Sequence, residues 1–301
     1  MENIQKQVKA SSSVEQALKK QKIMKVVQKI IVYTFLVIMG ISTIFPFYWM
    51  INISLQTYTE YVNSSLSPVY FPTSMEFSNY ANAMQVTNFW NNLKNTFVVG
   101  IVSTGLSMIV IILAAFAFAR LNFKGKEAIF SVMLATMMIP GEIFVITNYT
   151  TVAALGWKNT YVALIVPFMV SVFYTYFLRQ TFRQIPNELY LAAKVDGTGD
   201  FKYLWKVMIP MAKSTITSIT ILSMMGSWNA YVWPKLVAPD PEYQLVSNAL
   251  IQIYSSVDSS TAPETAYQMA AAVMITVPLI IVFLALRKQI MNGVSRSGIK
   301  G

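Results

Sequence analysis

Long stretches without a charged side chain alternate with short charged segments along this chain. No Lys, Arg, Asp or Glu stands between Lys29 and Glu60, Lys94 and Arg120, Lys158 and Arg179, Lys213 and Lys235, or Glu264 and Arg287. A further stretch, from Glu127 to Lys158, is interrupted only by Glu142. The hydrocarbon core of a bilayer, about 30 Å thick, takes about 20 mostly apolar helical residues. The pattern therefore predicts six spans, near 28–52, 94–119, 128–151, 160–180, 209–233 and 265–287. The expected fold class is an all-α polytopic membrane protein with six transmembrane helices. The first apolar stretch starts too late and runs too long for the core of a cleaved signal peptide, and no small-residue cleavage site follows it. It is expected to be retained as a span.

The positive charges give the spans a direction. Loops on the cytoplasmic side of a membrane collect Lys and Arg. With the N-terminus inside, only Lys94, Lys158 and Lys235 of the 23 Lys and Arg residues fall outside. The opposite orientation reverses the bias. Both termini are thus expected in the cytoplasm, and the outer loops at 53–92 and 234–264 are the longest and mildly acidic. Three parts follow: a polar, basic N-terminal tail over 1–27, a transmembrane domain over 28–290, and a cytoplasmic C-terminal tail over 291–301. The N-terminal tail reads as a disordered segment. A weak amphipathic helix on the inner leaflet, carried by Ile4, Val8, Val14 and Leu18, is the alternative.

Composition agrees with lipid as the solvent. Charged residues make up 12% of the chain and hydrophobic ones 55%, where soluble proteins carry about 25% charged residues. The net charge of +10 is accounted for by the inner loops and calls for no nucleic acid. There is no Cys and no His, which removes disulfides, Cys/His zinc sites, thiol nucleophiles and His general bases. No GxxxxGK[ST] phosphate loop occurs, so ATP hydrolysis belongs elsewhere. No metal site and no cofactor of the chain's own is expected, and the chain is not expected to be an enzyme.

One inner loop stands out. Between the fourth and fifth spans, about 181–213, the chain reads RQIPNELYLAAKVDGTGDFKYLWKVMIPMAK from Arg183. Pro186 suits a helix start, and Glu188 complements the macrodipole in the first turn. A short helix is predicted over Asn187–Val195. Ala192 and Ala193 are small enough for a partner surface to approach closely. Asp196-Gly197 is a turn signal. A second helix resumes over Phe201–Val207, with Phe201, Leu204 and Trp205 expected on one side. Pro210 marks entry into the fifth span. A helix, a sharp turn and a helix presented below the membrane suit helix-in-groove docking. A plain basic amphipathic loop on the inner leaflet is the bland reading.

This loop resembles the EAA motif of the permease subunits of binding-protein-dependent ABC importers: Glu-Ala-Ala, three residues, Gly, nine residues, Ile, one residue, Leu, Pro. Here Leu191-Ala192-Ala193 is followed by three residues, Gly197, nine residues, then Val207-Met208-Ile209-Pro210. The spacing matches throughout. Leu191 departs from the pattern, standing where the family has Glu. The maltose-type sugar branch is the nearest in kind. Ile185-Pro186-Asn187-Glu188-Leu189 matches its Ile-Pro-x-Glu-Leu, and Trp228-Asn229 with Pro234 is similar to its fifth-helix segment. The ending Ser297-Gly298-Ile299-Lys300-Gly301 resembles that branch's Lys-Gly tail.

The resemblance implies a permease subunit of an ATP-driven importer in a bacterial cell membrane, with the loop as a coupling helix seated on an ATP-binding subunit. It assigns that coupling role to Glu188, Leu191, Ala192, Ala193, Asp196, Gly197 and Phe201. It further implies a second, homologous permease subunit, a dimer of ATP-binding subunits that hold ATP and Mg, an external solute-binding protein, and a tail contact with the ATPase pair. The implied cargo is a sugar or oligosaccharide, with glycerol phosphate or another polar solute as the alternative.

For the substrate path, the candidates are Glu142, Trp228, Asn229 and Tyr231. Pro140-Gly141-Glu142 breaks the third span, and a carboxylate deep in a bilayer costs about 2.5–3.5 kcal/mol unless it faces protein or water. It lines the path or reaches the interface beside a kink. Aromatic faces with amide and hydroxyl groups suit sugars, but Trp and Tyr also gather at membrane interfaces. An ion-coupled secondary transporter ranks behind the importer, because no series of intramembrane charges offers a relay.

Overall fold

The computed structural model describes the backbone of residues 2–64, 67–255 and 263–295, and the side chains of 20–63, 67–250 and 265–287. Among these residues it is helical and contains no strand. In chain order the helices are α1 (Glu2–Ser54), α2 (Tyr58–Ser64), α3 (Ser78–Val86), α4 (Phe89–Arg120), α5 (Lys126–Thr136), α6 (Phe144–Ala154), α7 (Tyr161–Ile165), α8 (Val172–Gln184), α9 (Asn187–Val195), α10 (Asp200–Tyr203), α11 (Ile209–Met211), α12 (Lys213–Trp228), α13 (Val232–Val237), α14 (Val246–Ser255) and α15 (Pro263–Ser295). The expected contact of the tail at Ser297–Gly301 lies outside the described residues.

Three helical stretches are long and apolar enough to cross a membrane: Lys20–Ser54, Phe89–Arg120 and Thr265–Arg287. Three further pairs reach that length only together, each bent at a short break. The expected tail over 1–27 differs from the structure in one respect. It is helical from Glu2 and continuous with the first span. The cause is legible: no Gly precedes Gly40 and no Pro precedes Pro46, so nothing in that stretch stops a helix once started.

The breaks have identifiable causes. Pro140 sits in extended backbone (φ −58°, ψ 131°) and separates α5 from a 3₁₀ turn at Gly141–Ile143 leading into α6, at a bend of 78°. Between α7 and α8 the bend is 46°, and the Ser171 side chain accepts from the Tyr174 N–H at 3.3 Å to start α8. The third bend, 82°, separates Asp200–Met211 from α12. Pro210 has no N–H to donate, and its ring would collide with the Lys206 carbonyl in a regular α-helix. The chain passes through a π-helical turn at Leu204–Met208 before it. The straight helix within the stretch expected as a fifth span is therefore shorter than 209–233. α12 has 16 residues, about 24 Å at 1.5 Å per residue, and α13 starts only after the break at Asn229–Tyr231.

α4 is the central helix. Its C-terminal half buries Met108, Ile111, Ala115 and Phe116 against Leu178, Phe182 and Ile185 of the α8 region and against Tyr203, Leu204, Met208, Ala212 and Ile219. Nearer its start, Val99 joins a second cluster with Val152, Leu164, Trp233, Val237 and Leu245. α1 is the opposite case. None of its apolar window is buried, against 39% for α4. Its end is tied by polar groups instead: Asn79 Nδ2 donates to the Ser54 and Gln56 carbonyls, both at 3.0 Å. Thr57 and Glu60 form a capping box that starts α2, with the Thr57 N–H donating to Glu60 Oε2 at 3.1 Å and the Glu60 N–H to Thr57 Oγ1 at 3.3 Å.

Candidate functional site

The segment from α8 to α12 begins at a forced exit. Ile185 precedes a proline, which excludes it from the α region, and Ile185 and Pro186 are both extended (ψ 129° and 136°). Pro186 thus stands just before the helix rather than in its first turn. The chain leaves α8 and restarts as α9, with Glu188 exposed in the first turn of the new helix.

α9 ends in a Schellman motif. The Gly197 N–H donates to the Lys194 carbonyl at 3.0 Å and the Thr198 N–H to the Ala193 carbonyl at 2.8 Å, the paired bonds that finish a helix when the residue past its cap is left-handed. Gly197 is that residue, with φ +71°. A Cβ there would meet nothing within 4 Å. The requirement for glycine is one of backbone conformation, not of space. Asp196 is the C-cap and donates its N–H to the Ala192 carbonyl at 3.0 Å.

The loop is rooted on one side and bare on the other. Tyr190 and Ala193 pack against the α4–α8 core cluster, in which Tyr203, Leu204 and Met208 are buried. Ala192 and Asp196 are exposed. So are the apolar side chains of Leu191 (56%), Val195 (88%), Phe201 (64%) and Trp205 (58%). Leu191 and Val195 are one turn apart on α9. The Phe201 and Trp205 rings lie 6.3 Å apart. The expected single face of Phe201, Leu204 and Trp205 is split: Leu204 turns into the core and the two aromatics turn out.

A small polar cluster joins α9 to α10. Tyr190 Oη donates to Asp200 Oδ1 at 2.7 Å, and Lys194 Nζ meets the same oxygen at 2.7 Å. The Tyr190 ring packs edge-on against Tyr203, 5.1 Å between centroids. The Lys194 hydrogen bond, then that of Tyr190, holds the Asp200 carboxyl below its ordinary range. The same bond to Asp200 raises the Lys194 ammonium. Burial, then the bond to Asp200, raises the Tyr190 phenol.

Two arginines that sequence reasoning treated only as span boundaries lie beneath this loop. Arg120, the last residue of α4, is 9% exposed, and its Nη2 donates to the carbonyls of Phe182, at 2.8 Å, and Ile185. Arg179 of α8 is 3% exposed; its Nε donates to the Phe118 carbonyl at 3.0 Å and its Nη2 to both Glu127 oxygens, at 2.8 and 2.9 Å. The guanidinium carbon of Arg179 sits 3.9 Å over the Phe130 ring. The only sequence signal was a charge ending an apolar run, which does not say which helix it will touch.

The four path candidates are not gathered. Glu142 is exposed in the 3₁₀ turn between α5 and α6. Trp228 is buried with Phe89 and Val246, its ring 5.3 Å from that of Phe97. Asn229 is exposed and bonds back to the Met225 carbonyl at 2.9 Å. Tyr231 is half-buried, and its hydroxyl accepts from Lys235 Nζ at 3.0 Å.

The chain is similar to known proteins in sequence and in fold. The Lactose transport system permease protein LacG of Rhizobium radiobacter is 28% identical over 268 residues, covering 88% of this chain and 94% of its own. The sn-glycerol-3-phosphate transport system permease protein UgpE of Rhizobium meliloti is 27% identical over 274 residues, covering 89% and 96%. The Arabinooligosaccharides transport system permease protein AraQ of Halalkalibacterium halodurans is 27% identical over 262 residues, covering 86% and 91%. In fold, the chain matches a chain from the crystal structure of a bacterial ABC transporter involved in the import of the acidic polysaccharide alginate, with a TM-score of 0.77 at 22% identity, over 87% of this chain and 96% of that one. A family model described as binding-protein-dependent transport system inner membrane component matches residues 107–296, the stretch that holds the α4–α8 core and the rooted loop. The chain belongs to that family of inner-membrane transport components.

Proposed function

We propose that this chain is the transmembrane permease subunit of an ATP-driven, binding-protein-dependent importer for a sugar or oligosaccharide, with α9 as its coupling helix. The observation that carries the coupling role is the rooted loop. Its inner side is core, its end is fixed by Gly197, and its outer side offers Leu191, Val195, Phe201 and Trp205. Exposed apolar side chains on a rigid, short helix are what a groove on a partner would bury. Glu188, Ala192 and Asp196 border this face. The partners are a second homologous permease, a dimer of ATP-binding subunits that supply ATP and Mg, and an external solute-binding protein.

In this reading the six spans are α1, α4, the α5–α6 pair, the α7–α8 pair, α12 and α15, with both termini cytoplasmic. Asp200–Met211 lies along the inner face and not across the bilayer, as its 82° bend from α12 favours. Closure of the ATPase dimer moves α9, and alternating access follows at the interface of the two permeases. Glu142, Asn229 and Tyr231 are carried forward as path residues. Trp228 acts there through packing.

The test is solute-stimulated ATP hydrolysis by the full complex in lipid, over a panel of sugars and sn-glycerol-3-phosphate. Two variants bracket Gly197. Asn tolerates a positive φ, whereas a β-branched side chain does not. Gly197→Asn is expected to keep most of the stimulated rate, and Gly197→Val to lose it while the complex still assembles. If neither variant changes the rate, α9 is not the coupling element. A response to sn-glycerol-3-phosphate alone replaces the sugar assignment.

A further inference from the structure

Helix ends leave four carbonyls without helical partners. At the end of α8 two carbonyls in that region, Phe182 and Ile185, are bonded by Arg120 from the end of α4. At the end of α4 the Phe118 carbonyl is bonded by Arg179 from α8. Each helix thus closes the other with a guanidinium, and each positive charge lies near the negative end of its partner's dipole. Both arginines are nearly fully buried, and Arg179 is paired with Glu127 and set on the Phe130 ring. Pro186 alone separates Ile185 from the first residue of α9. Along the backbone, a displacement of α9 reaches the bundle first at the residue that Arg120 holds; the side chains of Tyr190 and Ala193 add contacts with the core.

We propose that Arg120 and Arg179 form a two-way latch that hands movement of α9 to α4, which makes them positioning residues for transport; the proposal rests on the reading of α9 as the ATPase-facing helix. Without the latch, the last turn of α8 is free to fray, and α9 swings on Pro186 while α4 stays. With it, the ends of α4 and α8 move as one body, and α4 is the helix around which both main core clusters are built. At Arg120 one Nη2 donates both bonds, to carbonyls three residues apart; the planar guanidinium fixes the direction of its two hydrogens, whereas an ammonium is a point donor without that fixed geometry.

The experiment uses the full complex in lipid with Arg120→Gln, Arg120→Lys and Arg179→Lys. Two quantities are read: solute imported per ATP hydrolysed, and amide hydrogen exchange of the permease. Arg120→Gln is expected to lower solute imported per ATP by about fivefold or more, the low end of ordinary coupling between sites, with the complex still assembled. Exchange should quicken over 182–195. Arg120→Lys should recover part of both. Arg179→Lys should quicken exchange at the end of α4 instead, which shows that each arginine serves the opposite helix. The latch is overturned if import and hydrolysis fall together in proportion to the complex assembled, if the import ratio is unchanged, or if exchange over 182–195 stays slow. Absence of solute-stimulated hydrolysis in the wild type would sink the importer reading itself, and the coupling role with it. The exchange data would separate the two failures, since they report the latch without the ATPase.

Discussion

At the scale of single residues, Gly197 and Asp200 set the shape of the loop in different ways. Gly197 supplies a left-handed backbone, and a non-glycine residue there costs about 1–2 kcal/mol. The dipeptide Asp196-Gly197 made that turn readable in advance. Asp200 supplies charge. Its carboxyl is lowered by Lys194 and Tyr190, so its contribution is present above the ordinary carboxylate value and is lost as pH falls through the lower folded one. Lys194 is raised, so its contribution is complete below the ordinary lysine value and is lost as pH rises through the higher folded one. The tie between α9 and α10 therefore spans neutral pH. Coupled import is expected to be flat from about pH 5 to pH 9 as far as this pair is concerned. Asp200→Asn should quicken amide exchange in α10 by less than Gly197→Val does in α9, because the pair is solvent-exposed and weak. An effect of Asp200→Asn that persists unchanged in 1 M salt would argue against an electrostatic tie.

At the scale of elements, the short helix α9 was legible because its signals are local: a proline before it, an acid in its first turn, a glycine after it. The facing of Phe201, Leu204 and Trp205 was not. A π-helical turn advances about 4.4 residues per turn rather than 3.6, so Leu204 leaves the side that α-helical spacing gives it. The bend that follows depends on Pro210, which marked the boundary but not the angle. The latch was out of reach for another reason: it exists only where the ends of α4 and α8 meet, some 60 positions apart in the chain. Leu191 and Val195 carry a prediction at this scale. Truncating either to Ala removes roughly 1–2 kcal/mol of buried apolar contact at a partner surface. Each should weaken association with the ATPase subunits by about tenfold, measured by titration of the purified complex. Unchanged affinity in both variants would move the docking surface elsewhere.

For the whole molecule, charge spacing leads to the expectation of six spans with both termini inside. The structure supports three long apolar helices directly and up to three more as bent pairs. The bends themselves were only partly legible, since proline marks a break without giving its angle. Because the chain has no Cys, single cysteines report topology without interference. Lys94→Cys and Lys158→Cys are expected to react with an impermeant thiol reagent from outside intact cells. Lys124→Cys and Lys202→Cys should react only after the membrane is opened. Labelling of the second pair in intact cells would invert the proposed orientation.

The bare surface of α1 bears on how such a protein is made. A ribosome releases the first span before any neighbour exists, so that span must rest in lipid alone. α1 presents apolar side chains around most of its girth through the bilayer, and the helix that packs along it, α15, is the last one made. α4 follows with Asn92, Asn95, Thr96 and Ser103 buried, groups whose burial depends on later helices: Asn95 donates to the carbonyls of Glu242 and Gln244 at 2.7 and 3.0 Å. The order of synthesis thus runs from the self-sufficient helix to the dependent ones. In the proposed importer, α4, whose polar groups wait for later segments, is also the helix that receives the movement of α9.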